Sequence, residues 1–199
     1  MLSSRRNFFS FLGLPRKLNL DIADLDERYR ALSRQFHPDY FFHSPPAERR
    51  ASLESTSYLN DAYRTLKNPV GRIEYLLKLE GLVDTDARPA NPGSPAVVPP
   101  ALLEQVFALN EELDEIRAER EQGAPADRIQ ARLDRARVTV ERQHVEHEEC
   151  LRQLAVDWDA TGDRRVLEAL KDRLAERNYI KNLLAGIERE LAALENLSA

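Results

Sequence analysis

The sequence has few cysteines and glycines and no long apolar run. Its 199 residues include a single cysteine, Cys150, which excludes an intramolecular disulfide and favours a reducing compartment. No apolar run approaches the roughly 20 residues that a membrane-spanning helix needs. Glycine is scarce, at seven residues, whereas Leu, Ala, Glu and Arg are plentiful. Because this composition favours helix and no segment has the pattern of a strand, we expect an all-α protein.

The charge is distributed unevenly along the chain. Residues 1–81 carry 13 basic and 10 acidic side chains, a net charge of +3, whereas residues 82–199 carry 16 and 24, a net charge of −8. A basic first part and an acidic second part indicate two modules with different partners. Neither part is basic enough for a typical nucleic-acid binder. We expect a monomer that needs no cofactor and binds neither nucleic acid nor membranes.

The first residues resemble an export signal. Arg5 and Arg6 precede apolar residues, as in a twin-arginine signal. The apolar stretch, however, stops at Leu14, charged residues follow at once, and no small-residue cleavage site comes after them. We therefore expect the protein in the cytoplasm.

Apolar residues at helical spacing predict a helical hairpin in the first third of the chain. One helix begins after Asp21 or Asp24 and ends before Pro38, and a second begins near Pro46 and ends at Asn68. Shorter helices are predicted at 7–12 and 70–79. The expected inward residues are Leu25, Tyr29, Leu32 and Phe36 on the first hairpin helix, and Leu53, Thr56, Leu59, Tyr63 and Leu66 on the second.

The second half of the chain has three long amphipathic patterns. Five prolines between residues 84 and 100 mark a linker before them. Turns are predicted at 123–125 and at 159–163. Long helices joined by short turns indicate an antiparallel three-helix bundle. The predicted organisation is a first module at 1–81, a Pro-rich linker at 82–100 and the bundle at 101–199.

The tripeptide His37-Pro38-Asp39 lies between the two hairpin helices. Because these helices must run antiparallel, the tripeptide is expected at the exposed tip. Arg28, Arg30 and Arg34 lie off the buried stripe, and the last two share one helical face. Such a cationic face beside a rigid loop suits an acidic partner, although the tripeptide alone also fits an ordinary polar helix stop. No nucleophile or second base is evident nearby, so no enzymatic activity is predicted.

This arrangement resembles the J-domain of DnaJ-type co-chaperones, and more closely the HscB family of iron–sulfur cluster assembly. The resemblance covers nearly the whole chain, in order. The motifs that carry it are NFFSFLGLP at 7–15, LNDAYRTL at 59–66 with Asn68-Pro69, RIEYLL at 72–77, LLEQ at 102–105 and NEEL at 110–113.

The resemblance implies a J-domain in residues 1–81 that docks on a DnaK-type ATPase, HscA or its equivalent, and stimulates ATP hydrolysis. The implied docking residues are His37, Pro38, Asp39, Arg28, Arg30 and Arg34. It also implies that the bundle binds the scaffold protein IscU and delivers it to the ATPase. The implied scaffold-binding residues are Leu103, Phe107, Glu111 and Tyr179.

Three positions depart from the family's usual pattern. Tyr40 stands where many J-domains have a lysine, Glu104 where methionine is common, and Ala108 where an acidic residue is usual. The change at residue 40 is expected to weaken electrostatic docking slightly.

Other readings of these residues stay open. Leu103 and Phe107 could be core residues, and Tyr179 could be half-buried packing. His144, His147 and Glu148 lie three and four residues apart on one helical face, a spacing that suits a metal. A di-iron bundle site would need a second Glu-x-x-His element, which is not found, so a polar face with a partly buried His147 is preferred. A generic J-protein with a different client is the other alternative.

Overall fold

The computed structural model describes residues 7–83 and 100–198. Within these ranges all regular structure is helical and no strand occurs, which confirms the all-α prediction. None of the described helices is long and apolar enough to cross a bilayer. Most of the predicted linker lies outside the described residues. The helices are α1 (Phe8–Phe11), α2 (Ile22–Phe36), a 3₁₀ turn (Pro38–Phe41), α3 (Pro46–Lys67), α4 (Pro69–Leu79), α5 (Pro100–Glu121), α6 (Ala126–Thr161) and α7 (Arg164–Ser198).

Helix boundaries follow capping and proline chemistry. The carboxylate of Asp21 accepts a hydrogen bond from the backbone N–H of Ala23, at 2.9 Å, and so caps α2. Asn68 caps α4 in the same way, through the N–H of Gly71 at 3.1 Å. The predicted turn at 159–163 is too long, because α6 continues to residue 161 and the chain reverses at Gly162, whose φ is +63°.

The described residues fall into two compact units. Unit 1 contains residues 7–83 and 155–167, and unit 2 contains residues 100–154 and 168–198. Residues 155–167 were predicted to belong to the bundle. In the structure, these residues at the end of α6 and the start of α7 group with the N-terminal helices.

Unit 1 is built on an antiparallel pair of helices, α2 and α3. The hydroxyl of Tyr29 donates to the side-chain oxygen of Asn60 at 2.9 Å, and that of Tyr63 donates to Asp26 at 2.8 Å. The later residue of α2, Tyr29, pairs with the earlier residue of α3, Asn60, and the earlier Asp26 pairs with the later Tyr63. The two helices therefore run in opposite directions. Their chain reversal therefore displays the 3₁₀ turn at one end of the pair.

The segment before α2 closes the core of unit 1. Phe9 of α1 is buried with Leu25, Leu59 and Leu66 in one hydrophobic cluster. The chain turns after α1 at Gly13, whose φ of +67° favours glycine. A Cβ at this position would come within 2.8 Å of a guanidinium nitrogen of Arg28, so the end of that side chain would have to shift.

One predicted inward position of α3 is wrong. Leu53 is 58% exposed, whereas the neighbouring Ser52 is only 4% exposed. A buried serine needs a hydrogen-bond partner, and Ser52 finds one in the backbone of α2, which turns this side of α3 inward.

Unit 2 contains α5 and most of α6 and α7, which share one hydrophobic cluster. The cluster takes Leu113 and Ile116 from α5, Ile129, Leu133, Ala136 and Val140 from α6, and Ile180, Leu183, Ile187, Leu191 and Leu194 from α7. Ion pairs border it: Arg132 of α6 contacts Glu115 and Glu119 of α5, and Glu190 of α7 binds Arg117 and Arg120 of α5. The side chain of Leu102, the first residue of the LLEQ motif, lies outside the described part.

Candidate functional sites

The tripeptide His37-Pro38-Asp39 has a defined conformation at the end of α2. His37 leaves the helix with a ψ of 126°. Its Nδ1 accepts a hydrogen bond from the backbone N–H of Asp39 at 3.3 Å, and its carbonyl accepts one from Tyr40 at 3.1 Å. The carboxylate of Asp39 also lies 3.5 Å from Nδ1. Because the backbone bond needs an unprotonated Nδ1, the neutral ring carries its proton on Nε2.

The tripeptide is displayed to solvent. The side chain of His37 is 51% exposed and that of Asp39 is 88% exposed. The prediction that the tripeptide sits at an exposed hairpin tip therefore agrees with its placement. Its polar groups remain accessible while the proline and the 3₁₀ turn restrict the backbone.

The last carbonyl of α2 is held by two hydroxyls of α3. The carbonyl of Phe36 lacks the usual helical hydrogen bond from the N–H four residues later, because that N–H, of Tyr40, binds the carbonyl of His37 instead. Ser52 and Thr56 donate to the Phe36 carbonyl at 2.7 and 3.0 Å. These bonds link the two helices directly before the tripeptide. This role of Ser52 was not predicted, although a serine on the inward side of a helix indicates a hydrogen bond to a neighbouring element.

The three predicted docking arginines differ in their surroundings. Arg28 binds Asp24 at 2.7 Å and the carbonyl of Gly13 at 2.7 Å, so it holds the turn after α1 against α2. Arg30 and Arg34 are exposed. Within the described residues Arg34 makes no hydrogen bond or ion pair, and the charge of Arg30 acts on Asp26, one turn away.

Asp26 is the acidic member of a polar group on the α2–α3 seam. The hydrogen bond from Tyr63, and then the ammonium of Lys67 at 3.4 Å, lower the pKa of this carboxyl against the opposing effect of desolvation. Asp26 therefore stays ionised beside the arginine-bearing face. The remaining positive charge on that face belongs mainly to Arg30 and Arg34.

On α5, Leu103, Phe107 and Glu111 recur every four residues and form what we call the α5 surface. Phe107 is 67% exposed, Leu103 is 36% exposed, and Glu111 is also exposed. Neither apolar side chain belongs to the core, so the alternative of core packing is not supported for this pair. Glu104 and Ala108, which differ from the residues usual in the family, are exposed on the same helix.

Tyr179 of α7 lies in a different setting. It is half-buried and packs on the hydrophobic cluster of unit 2. Among the described residues it makes no ring contact with Phe107. The half-buried packing that the sequence left open thus describes this tyrosine.

The histidines of α6 lie beside charged side chains, His147 beside one of α7 and His144 beside one of α6 itself. Nδ1 of His147 lies 3.5 Å from Glu176 without forming a hydrogen bond, and Glu176 binds Arg173 at 2.6 Å. Burial lowers the pKa of His147, outweighing the attraction of Glu176. His144 lies 3.5 Å from Glu148, which also pairs with Arg177. Across the described residues no group of three or more potential metal ligands occurs, and arginines occupy the nearby carboxylates.

Asp159 forms a polar anchor within unit 1. Its carboxylate accepts hydrogen bonds from the backbone N–H groups of Leu18 and Asn19, at 2.7 and 2.8 Å, and from the side-chain amide of Asn19 at 3.0 Å. The buried guanidinium of Arg72, in the RIEYLL motif, donates to the carbonyls of Leu18 and Leu66. Burial lowers the pKa of Arg72, and the charge of Asp159 opposes that effect.

Comparisons with known proteins agree with this architecture. No family model matches the chain. A curated relative from Cupriavidus taiwanensis, named co-chaperone protein HscB homolog, is 38% identical over 138 residues, which cover 69% of this chain and 73% of the relative. The chain also resembles the structure of the chaperone HscB from Vibrio cholerae, with a TM-score of 0.61, 28% identity, and coverage of 95% of this chain and 99% of that one.

A crystal structure of the human co-chaperone protein HscB has the same fold. Its TM-score is 0.61 at 24% identity, with coverage of 94% of this chain and 83% of the human one. The bacterial relative carries the stronger argument, because its sequence identity extends over most of both chains. The displayed tripeptide, the all-helical architecture and this relative lead to one assignment: the chain belongs to the HscB family of co-chaperones.

Proposed function

We propose that this co-chaperone stimulates the ATPase of a DnaK-type chaperone such as HscA and delivers to it an IscU-type scaffold for iron–sulfur cluster assembly or transfer. The observation that carries the proposal is the exposed, conformationally restricted tripeptide at the tip of α2 and α3, beside arginines that are free to bind. Family membership supports the pairing of this site with a chaperone partner.

The docking site is proposed to act by recognition, without a catalytic group of its own. His37, Pro38 and Asp39 contact the ATPase, while Arg30 and Arg34 attract its acidic residues. Arg28 is bound to Gly13 and Asp24, so in this proposal it mainly positions the turn after α1. Its 40% exposed side chain keeps one edge available to the partner.

The α5 surface is proposed to bind the scaffold. Phe107 and Leu103 present apolar area to solvent on a helix whose opposite side is fixed in the core. Aromatic anchors ringed by polar residues dominate the affinity of many interfaces. Glu111 and the half-buried Tyr179 are proposed to extend this contact. Covalent connection of the two sites raises the effective concentration of scaffold at the ATPase.

The test is the steady-state ATP turnover of an HscA-type ATPase with the full chain, measured with and without IscU. We expect stimulation by the chain and further synergy with the scaffold. His37→Gln is the control, because the exposed ring can be replaced without disturbing the core, and it should abolish stimulation. Stimulation without synergy would instead favour a generic J-protein with another client, and no stimulation would contradict the proposal.

A further inference from the structure

Two aromatic rings follow the tripeptide and point to a second kind of contact. Among the side chains whose exposure the structure describes, Tyr40 and Phe42 are the most exposed large apolar ones, at 74% and 70%. Single exposed apolar residues are common, but two aromatic rings within three residues of a loop form a concentrated apolar patch. We call Tyr40 and Phe42 the ring pair.

The backbone that carries the ring pair is held in place. Besides the bond from Tyr40 to His37, the N–H of Phe42 binds the carbonyl of Asp39 at 3.3 Å and that of Ser44 binds Phe41 at 2.9 Å. The intervening Phe41 is half-buried. Rigid aromatic side chains on an ordered backbone lose little entropy on binding, which suits them as interface anchors.

The ring pair is directly connected to the tripeptide. The rings of Tyr40 and His37 meet edge to face with centroids 6.1 Å apart, and Phe42 contacts His43 in the same way at 5.0 Å. A partner that contacts His37 therefore also approaches Tyr40. The hydroxyl of Tyr40 adds a polar group at the outer end of the patch.

The charge around the ring pair indicates what kind of surface it fits. Between residues 30 and 50 there are four arginines and two acidic residues. Arg34, Arg49 and Arg50 are exposed and have no ion-pair partner in the described residues. Two copies of this patch would bring like charges together, whereas an acidic surface with an apolar depression complements it.

We propose that Tyr40 and Phe42 are an apolar anchor of the ATPase-docking site and insert into an apolar depression bordered by acidic residues on the chaperone. The proposal rests on the proposed function and extends it. In this chain the aromatic contact replaces the cation that many J-domains carry at the position of Tyr40. Docking is thus divided between the tripeptide, the arginines and the ring pair.

The test titrates the full-length protein against an HscA-type ATPase and measures the concentration that gives half-maximal stimulation. We expect Tyr40→Ser/Phe42→Ser to raise this concentration about tenfold, as loss of an aromatic anchor does, while maximal stimulation stays unchanged because the tripeptide is intact. Val138→Ser/Val145→Ser, which removes two exposed apolar residues of α6, is the matched control and should leave it unchanged.

Salt dependence separates the aromatic contact from the electrostatic one. Between about 50 and about 300 mM KCl, the ring-pair variant should keep the slope of the unaltered chain, because no charge is lost. Arg34→Ala should flatten the slope and Tyr40→Lys should steepen it. Urea midpoints that match the unaltered chain verify that the variants are folded.

The outcomes are distinct. If the unaltered chain does not stimulate the ATPase, the proposed function fails and this inference fails with it. If it does stimulate and the ring-pair and control variants have equal half-saturation, only the apolar anchor is overturned. If sedimentation shows a dimer that the ring-pair variant converts to a monomer, the rings serve self-association and the inference is likewise overturned.

Discussion

The hydroxyl of Ser52 lies 2.7 Å from the carbonyl oxygen of Phe36, and this bond holds the end of α2 against α3. Pro38 offers no N–H to the α2 carbonyls, and the next available donors bind His37 instead. The tripeptide therefore begins where the backbone of α2 is satisfied by another helix. Ser52 and Thr56 position the docking loop without being part of its exposed face.

Ser52→Ala/Thr56→Val should destabilise the protein by about 1–3 kcal/mol, because it leaves the partly buried Phe36 carbonyl without these donors. The free energy of unfolding, from urea denaturation, measures the loss. The ATPase assay should also show weaker stimulation, since the end of α2, which positions the tripeptide, is no longer hydrogen-bonded to α3. Ser57→Ala replaces an exposed serine of α3 and should change neither quantity. An unchanged unfolding free energy in the double variant would contradict the positioning role.

Local chemistry made much of unit 1 predictable. Asp21 as a cap, Pro38 as a stop and Asn68 as a break each act within a few residues, so the ends of α2, α3 and α4 follow from sequence. The display of the tripeptide follows as well, because a short connection between two amphipathic helices forces an antiparallel pair.

What could not be predicted depends on distant partners. Asp159 binds the backbone N–H groups of Leu18 and Asn19, about 140 positions earlier, and backbone donors leave no trace in side-chain pattern. The hydrophobic pattern also predicted Leu53 to face inward, whereas Ser52 is the buried residue and donates a hydrogen bond to the backbone of α2. The accessibility of Phe107 was expected only in part, since the width of an apolar face does not say which edge is covered.

Asp159→Ala should lower the free energy of unfolding by about 1.5–3 kcal/mol, the range for hydrogen bonds to a charged group. The change removes three hydrogen bonds and the carboxylate whose charge acts on the buried Arg72. Urea denaturation measures the difference. Asp172→Ala removes an exposed carboxylate of α7 and is the matched control, expected within about 0.5 kcal/mol of the unaltered chain. Equal losses in both variants would argue against a specific anchor.

Phe107→Ser should weaken scaffold binding at least tenfold, on the order expected for an interface anchor, with stability changed by less than about 0.5 kcal/mol. The ring is exposed, so its removal leaves no cavity. Isothermal titration with IscU measures the affinity. Leu113→Ala, on the buried side of α5, is the contrast and should cost about 2–5 kcal/mol in stability. Undiminished IscU affinity in Phe107→Ser would exclude this residue from the contact.

His147 should make the stability of the protein depend on pH below 6.5. Burial lowers its pKa from the ordinary 6.5, against the attraction of Glu176 and Glu146 and with the repulsion of Arg173 and His144. As the pH falls below 6.5, the unfolded chain therefore takes up a proton before the folded one does, and the free energy of unfolding decreases until the folded-state pKa is reached.

His147→Gln should reduce this slope, because the amide does not titrate. Urea denaturation at a series of pH values from about 8.5 to about 5.5 measures it, a window that lies above most of the ordinary titration of the carboxylates. Above about pH 7.5 the imidazole is almost entirely neutral in both states, so the two proteins should run parallel there, and this range is the internal control. Identical slopes below pH 6.5 would mean that His147 is protonated as readily in the folded protein as in the unfolded chain, and that Glu176 compensates fully for its burial.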